Sequence, residues 1–157
     1  MEKHLSWKET VFVTEKLARK IASDFLPDVV IAVSSGGLVP GKLLKEMLGV
    51  KSFAVISSRG YDGKVKRAKT VVEKNISGFI PKNVRQKVLV VDDIADSGET
   101  FVEVLKQLKK IDANGKWQVK TASLLLKPRS VFTPDFYVLE NTGWVVFPWD
   151  TGVFDFT

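Results

Sequence analysis

The feature that most constrains this chain is a set of short, wholly aliphatic runs, each followed at once by a loop of small or acidic residues and then by helix-forming sequence. Val29–Val33 leads into SSGGLVPG and then into Leu43, Leu44, Met47 and Leu48, with Gly49 as the stop. Val88–Val91 leads into DDIADSGET and then into Phe101, Val104, Leu105 and Leu108 on one helical face. A strand that is apolar at every position must be covered on both faces, which is the condition of a parallel sheet packed between helices. Further strands are expected at Phe53–Ser57, Thr70–Glu73, Val119–Leu126, Phe136–Leu139 and Trp144–Phe147. Ser6-Trp7-Lys8-Glu9 has the spacing of a capping box, and Val13, Leu17, Ile21 and Phe25 recur along one face. A first helix is therefore expected from about Ser6 to Asp24, ended with help from Pro27. The polar, basic segment SSRGYDGKVKRAK between two of the strands is expected to be mobile.

Composition narrows the setting. A chain of 157 residues, 45% hydrophobic, can bury one sizeable core, so a single domain over 1–157 is expected. It has no cysteine, which removes a disulfide framework and a thiolate zinc site. The opening MEKHLSWKET holds charges rather than a signal-length apolar run, and no segment approaches the roughly 18 apolar residues of a membrane span. The expectation is a soluble, cytoplasmic protein without a membrane partner. A net charge of +6 suggests an anionic partner, either nucleic acid or a phosphorylated small molecule, although most of the lysines read as a solvated surface.

The loops after the strands carry the chemistry, because ligands of an open parallel sheet gather beyond the carboxyl ends of its strands. Asp96 to Thr100 enters a helix, whose first amides lack intrahelical partners; with Ser97, Thr100 and the close approach that Gly98 allows, this is a seat for a phosphate monoester. Asp92 and Asp93 offer acceptors for a diol or for a hard cation such as magnesium. Helix capping by Ser97 or Asp96 is the plainer account of the loop, but it needs one residue and leaves the acidic pair at the end of an aliphatic strand unexplained. A phosphoacceptor pair of the response-regulator kind is a second alternative, though there the pair ends the first strand of the domain. The SSGG turn, Ser34 to Gly37, can aim backbone N–H groups at an anion, or can serve the turn geometry alone.

VLVVDDIADSGET resembles the phosphoribosyl pyrophosphate motif of the type I phosphoribosyltransferases. AVSSGGLVPG is similar to that family's pyrophosphate loop, LLLKP to its base-binding lysine strand, and NTGWVVFPWD to the purine-binding hood of the xanthine-guanine and hypoxanthine enzymes. The resemblance implies an α/β fold with a mostly parallel twisted sheet flanked by helices, and a small hood drawn mainly from about residues 128–157. It implies transfer of a phosphoribosyl group to a ring nitrogen of a 6-oxopurine, giving a nucleoside 5'-monophosphate and pyrophosphate with magnesium present.

On the matching positions, Ser34, Ser35, Gly36, Gly37, Lys74, Asp92, Asp93, Asp96, Ser97, Gly98, Glu99 and Thr100 would bind the donor, with Glu99 turned away from the 5'-phosphate. Asp96 would lie beside purine N7 as the catalytic residue. Lys127 would donate to the 6-oxygen, Trp144 would stack on the base and Val145 would present backbone groups to its edge. Asp93 and Asp150 would be the metal-linked carboxylates. The related bacterial enzymes have a basic residue where this loop has Ser35, and either Arg67 or Lys74 matches the cation that closes over the donor. The family is usually dimeric or tetrameric, so a homo-oligomer is expected and nucleic acid is set aside as a partner. The rival expectations are transfer to another base and a non-catalytic sensor of nucleotides or of the donor.

Overall fold

The computed structural model of the protein describes residues 2–59, 70–78, 80–81 and 84–150. Arg67 and most of the basic segment lie outside the described residues, and Lys74 is described only through its backbone.

The chain runs β1 (Lys3–His4), α1 (Trp7–Ala22), β2 (Val29–Ser34), α2 (Leu38–Met47), β3 (Ser52–Arg59), β4 (Val71–Gly78), β5 (Gln86–Ala95), α3 (Glu99–Ile111), β6 (Trp117–Leu126), β7 (Leu139–Glu140) and β8 (Val145–Val146). Six strands form one sheet in the order β4-β3-β2-β5-β6-β7. All pairs in it are parallel except β3 with β4. The unbroken aliphatic runs are explained by this sandwich. Val30, Leu89 and Val91 pack with Val13, Leu17 and Ile21 of α1 and Leu44 of α2, while Val29, Ile31, Val33, Val88 and Val90 pack with Phe101, Val104 and Leu108 of α3. Alternate residues of each strand feed opposite cores, and each buried Val, Leu or Ile contributes about 1.5–3 kcal/mol.

The helix ends follow local chemistry. Ser6 and Glu9 form the expected capping box at the start of α1. The second helix begins earlier than the hydrophobic spacing suggests, taking in Leu38, Val39, Pro40 and Gly41. Pro40 falls in the first turn, where amides have no intrahelical acceptor to lose, so the VPG run reads as a loop yet folds as helix.

Three strand expectations need correction. Thr70–Glu73 extends to Gly78 by pairing along β3. Phe136–Leu139 is not a strand: Asp135 Oδ2 accepts from the Thr121 amide and hydroxyl at 2.8 and 3.0 Å, leaving a single bridge from Phe136 to Ala122. Pairing proper resumes only at Leu139–Glu140. Trp144–Phe147 shrinks to Val145–Val146, which pairs in parallel with Lys3–His4 as a separate two-stranded sheet. The N-terminal strand is thus tied to the segment around Val145–Val146.

The chain leaves β2 toward β3 and β4 on one side and resumes at β5 on the other. This is a topological switch point, where the loops after β2 and β5 diverge and open a crevice.

Candidate active site

At the switch point, the loop after β2 meets the acidic end of β5. The peptide between Ser34 and Ser35 is cis. Gly36 lies against Asp93 so closely that a Cβ there would stand 2.6 Å from the Asp93 Cγ, and one on Gly37 would stand 2.7 Å from the Val33 carbonyl. Only glycine fits at either position, Gly36 because of its approach to Asp93 and Gly37 because of the turn. The Gly37 amide is spent on the Val33 carbonyl at 2.8 Å, so it turns the chain rather than facing a ligand.

Strand β5 carries Asp92 and Asp93 past the point where the aliphatic run ends, because β6 continues to pair with it as far as Leu126. Both carboxylates are buried, at 9% and 8% exposure. The Asp93 amide donates to Asp92 Oδ1 at 2.9 Å, and the Trp149 indole donates to Asp93 Oδ2 at 3.2 Å. Burial, with the Asp93 charge beside it, pushes the Asp92 carboxyl well above its ordinary range. Burial also raises Asp93 to about 6; the Trp149 hydrogen bond opposes the shift and the charge of Asp150 adds to it. Carboxylates placed this way are stabilised as anions by a cation or by hydroxyl donors.

Ser34, Ser35, Gly36, Asp92, Asp93 and Asp150 line one cleft of about 540 Å³, together with Ser58 and Arg59 from the end of β3. Arg59 also stands 3.7 Å from Glu73 on β4. Beyond the acidic pair, Gly98 takes a left-handed φ of 83° before α3, and a Cβ there would lie 2.6 Å from the Phe132 amide. Gly98 serves as the N-cap without any side-chain cap bond, so α3 opens on backbone amides, with Thr100 half-buried in its first turn. Ser97 Oγ accepts from the Glu99 amide at 3.3 Å, and the Glu99 side chain is exposed.

The base-site candidates form a second group alongside. Lys127 is buried at 5% exposure; its Nζ lies 3.8 Å from Asp96 Oδ1 and 5.5 Å from the centre of the Trp144 ring, which is 64% exposed. Asp96 Oδ1 also accepts from Arg129 Nε and Nη2 at 2.8 and 2.6 Å. The Val145 side chain is in the core. Its neighbours are tied to β1, through Lys3 N–H to the Trp144 carbonyl at 2.9 Å and Leu5 N–H to the Val146 carbonyl at 3.0 Å. By strand alternation, Val145's own N–H and C=O face away from β1.

Three residues at the site escape sequence reasoning: Arg129, Trp149 and Ser58. Arg129 had a signal, being a second cation just after Lys127, and Trp149 stands in the same WVVFPWD run as Trp144. Ser58 had none. Arg59, with Lys42 and Lys74, is one of the cations that the sequence offers for the charge missing at Ser35, and it lies at the cleft. Among the described residues, no cluster of three or more metal-ligating side chains occurs. Asp93 and Asp150 still suit magnesium, which commonly takes one or two protein carboxylates and completes its octahedron with water and substrate phosphate oxygens.

The sequence matches the phosphoribosyl transferase domain family over residues 3–155. Among solved structures it is similar to a purine phosphoribosyltransferase from Pyrococcus horikoshii Ot3, at 31% identity and TM-score 0.81, with 99% of each chain covered. It shares its fold with a xanthine-guanine-hypoxanthine phosphoribosyltransferase from Helicobacter pylori, at 24% identity and TM-score 0.83 over 96% of this chain and 95% of that one. A hypoxanthine-guanine phosphoribosyltransferase from Bacillus anthracis matches at 27% identity and TM-score 0.68, covering 88% of this chain and 82% of the other.

Proposed function

This chain belongs to the phosphoribosyl transferase family of pentosyl-transferring glycosyltransferases, and we propose that it transfers the phosphoribosyl group of phosphoribosyl pyrophosphate to a 6-oxopurine: guanine, hypoxanthine or xanthine. The observation that carries the reading is the buried Lys127 ammonium, held between Asp96 and the face of Trp144 beside the acidic cleft. An ammonium can only donate, so it accepts a purine with a 6-oxygen and rejects adenine, whose 6-amino group also donates. An exposed aromatic face next to it suits stacking of the base.

The reaction follows from this layout. The purine nitrogen attacks C1' as the bond from C1' to the pyrophosphate oxygen breaks, and that electron pair leaves with pyrophosphate. The sugar becomes cation-like at the transition state, and buried carboxylates at Asp92 and Asp93 stabilise charge of that sign strongly in a low-dielectric pocket. The amides opening α3, with Ser97 and Thr100, hold the 5'-phosphate. Ser34, Ser35 and Arg59 face the pyrophosphate, Arg59 supplying a positive charge that the Ser35 position lacks. Asp96, oriented by Arg129, takes the proton of the attacking purine on the N7 side. Magnesium, held by Asp93 and Asp150, would neutralise the pyrophosphate oxygens.

The same reading treats residues 1–157 as one catalytic unit with its hood drawn mainly from about 128–157, working in the cytoplasm as a dimer or tetramer. No helix among the described residues is long and apolar enough to cross a membrane. The test is pyrophosphate release from the magnesium-donor complex with each purine in turn. Turnover with 6-oxopurines and none with adenine is expected; a preference for adenine, or donor binding without turnover on any base, refutes the reading.

A further inference from the structure

Trp149 stands where the hood meets the acidic cleft. Its indole lies parallel to the Phe147 ring, with centroids 4.9 Å apart and planes at 4°, and the Trp7 ring of α1 reaches it at 6.0 Å and 58°. Phe147 is itself 2% exposed and belongs to the core shared with α1 and α2. A ring held from two sides has little rotameric freedom, and in this orientation its Nε1–H points at Asp93 Oδ2 from 3.2 Å. The next residue, Asp150, lines the cleft with Asp93, and the Phe147 amide donates to its Oδ2 at 3.0 Å. One short turn, Phe147 to Asp150, therefore sets both carboxylates. It reaches Asp93 through the Trp149 side chain and Asp150 through the backbone.

We propose that Trp149 is the positioning residue of the donor site, aiming the Asp93 carboxylate by its indole N–H and holding it in register with Asp150. The inference rests on the phosphoribosyl pyrophosphate reading of the cleft. A carboxylate whose Oδ2 is engaged by a neutral donor keeps its full charge and presents Oδ1 in a fixed direction. Without that bond Asp93 turns more freely, and donor binding has to bear the entropy of ordering it. The indole N–H is spent on Asp93, while stacking on the base falls to the exposed Trp144, so loss of the N–H separates donor affinity from base affinity.

Trp149→Phe keeps the ring contacts and deletes only the N–H. Titration calorimetry of the magnesium-donor complex is expected to give a Kd about threefold to tenfold weaker than wild type, as for loss of one hydrogen bond. The KM for the purine should stay within about twofold of wild type. Equal donor affinity in the two proteins overturns the proposal. So does a parallel loss of donor and base affinity with a lowered Tm, which is the signature of packing alone. If the variant does not fold, Asp93→Ala, which removes the acceptor, decides: of the indole N–H resonances from the four tryptophans in a 15N spectrum, one must shift from its wild-type position, and an unmoved set overturns the proposal. If wild type itself fails to bind the donor, the functional reading falls and this inference falls with it. If wild type binds and the variant binds equally, only this inference falls.

Discussion

Asp93→Asn should make the ligand-free protein more stable at neutral pH while disabling it as an enzyme. Asp93 is 8% exposed and its carboxyl is raised from its ordinary 3.8 to about 6, chiefly by burial. A folded-state value above the unfolded one means that the native chain holds the proton more tightly. Stability therefore falls as pH rises from about 4 to about 6, and the cost is complete above that. At about 1.4 kcal/mol per pH unit, the ionised carboxylate costs about 3 kcal/mol at pH 7.5. The amide carries no charge, its oxygen still accepts from Trp149, and its NH2 can donate to Asp92, so roughly 1–3 kcal/mol of that cost should be recovered. For a chain of this size the gain corresponds to a Tm rise of about 2–12 °C. Thermal melts in chelator at pH 7.5 and pH 4.0 measure it. The variant should melt higher at pH 7.5 and level with wild type at pH 4.0, and saturating magnesium and donor should reverse the order at pH 7.5. A variant that melts lower at pH 7.5, or whose advantage is the same at both pH values, refutes the argument from buried charge.

Lys127→Ala should lower kcat/KM for 6-oxopurines by about 10- to 150-fold, the equivalent of a charged donor worth about 1.5–3 kcal/mol, as read by steady-state kinetics with each base. Trp144→Ala should raise KM for all purines by about 2- to 12-fold, because stacking ignores ring substituents; a base-selective effect would contradict the stacking role. Gly36→Ala drives a methyl to within 2.6 Å of the Asp93 Cγ and should cost about 1–3 kcal/mol of stability along with donor affinity, measured by melts and calorimetry.

What could be read from the sequence was whatever repeats at short range. The doubly buried strands Val29–Val33 and Val88–Val91 announce themselves by unbroken aliphatic sequence, and the acidic loop stands out because charge follows them directly. The two-residue strands β1, β7 and β8 carry no period at all, since their pairing is imposed by what lies beside them. The same limit hid the site's supporting contacts. Arg129 reaches Asp96 and Trp149 reaches Asp93 across long stretches of chain, and no local pattern marks which arginine or tryptophan will do so. Lys127 was visible because it ends a strand beside Pro128, whereas its burial against Asp96 is a property of the fold.

The pairing of Lys3–His4 with Val145–Val146 has a consequence for synthesis. Lys3–His4 has to wait for Val145–Val146 to be made before either is paired. The sheet from β2 to β6 can form earlier, from segments closer in sequence, whereas the cleft at its edge still waits for Asp150. Contacts between such distant segments carry the largest loop-closure entropy and tend to form late. A nascent chain would then hold its central sheet before it holds a complete donor cleft, and one late step, the docking of the segment from Val145 to Asp150, would finish both halves of the site.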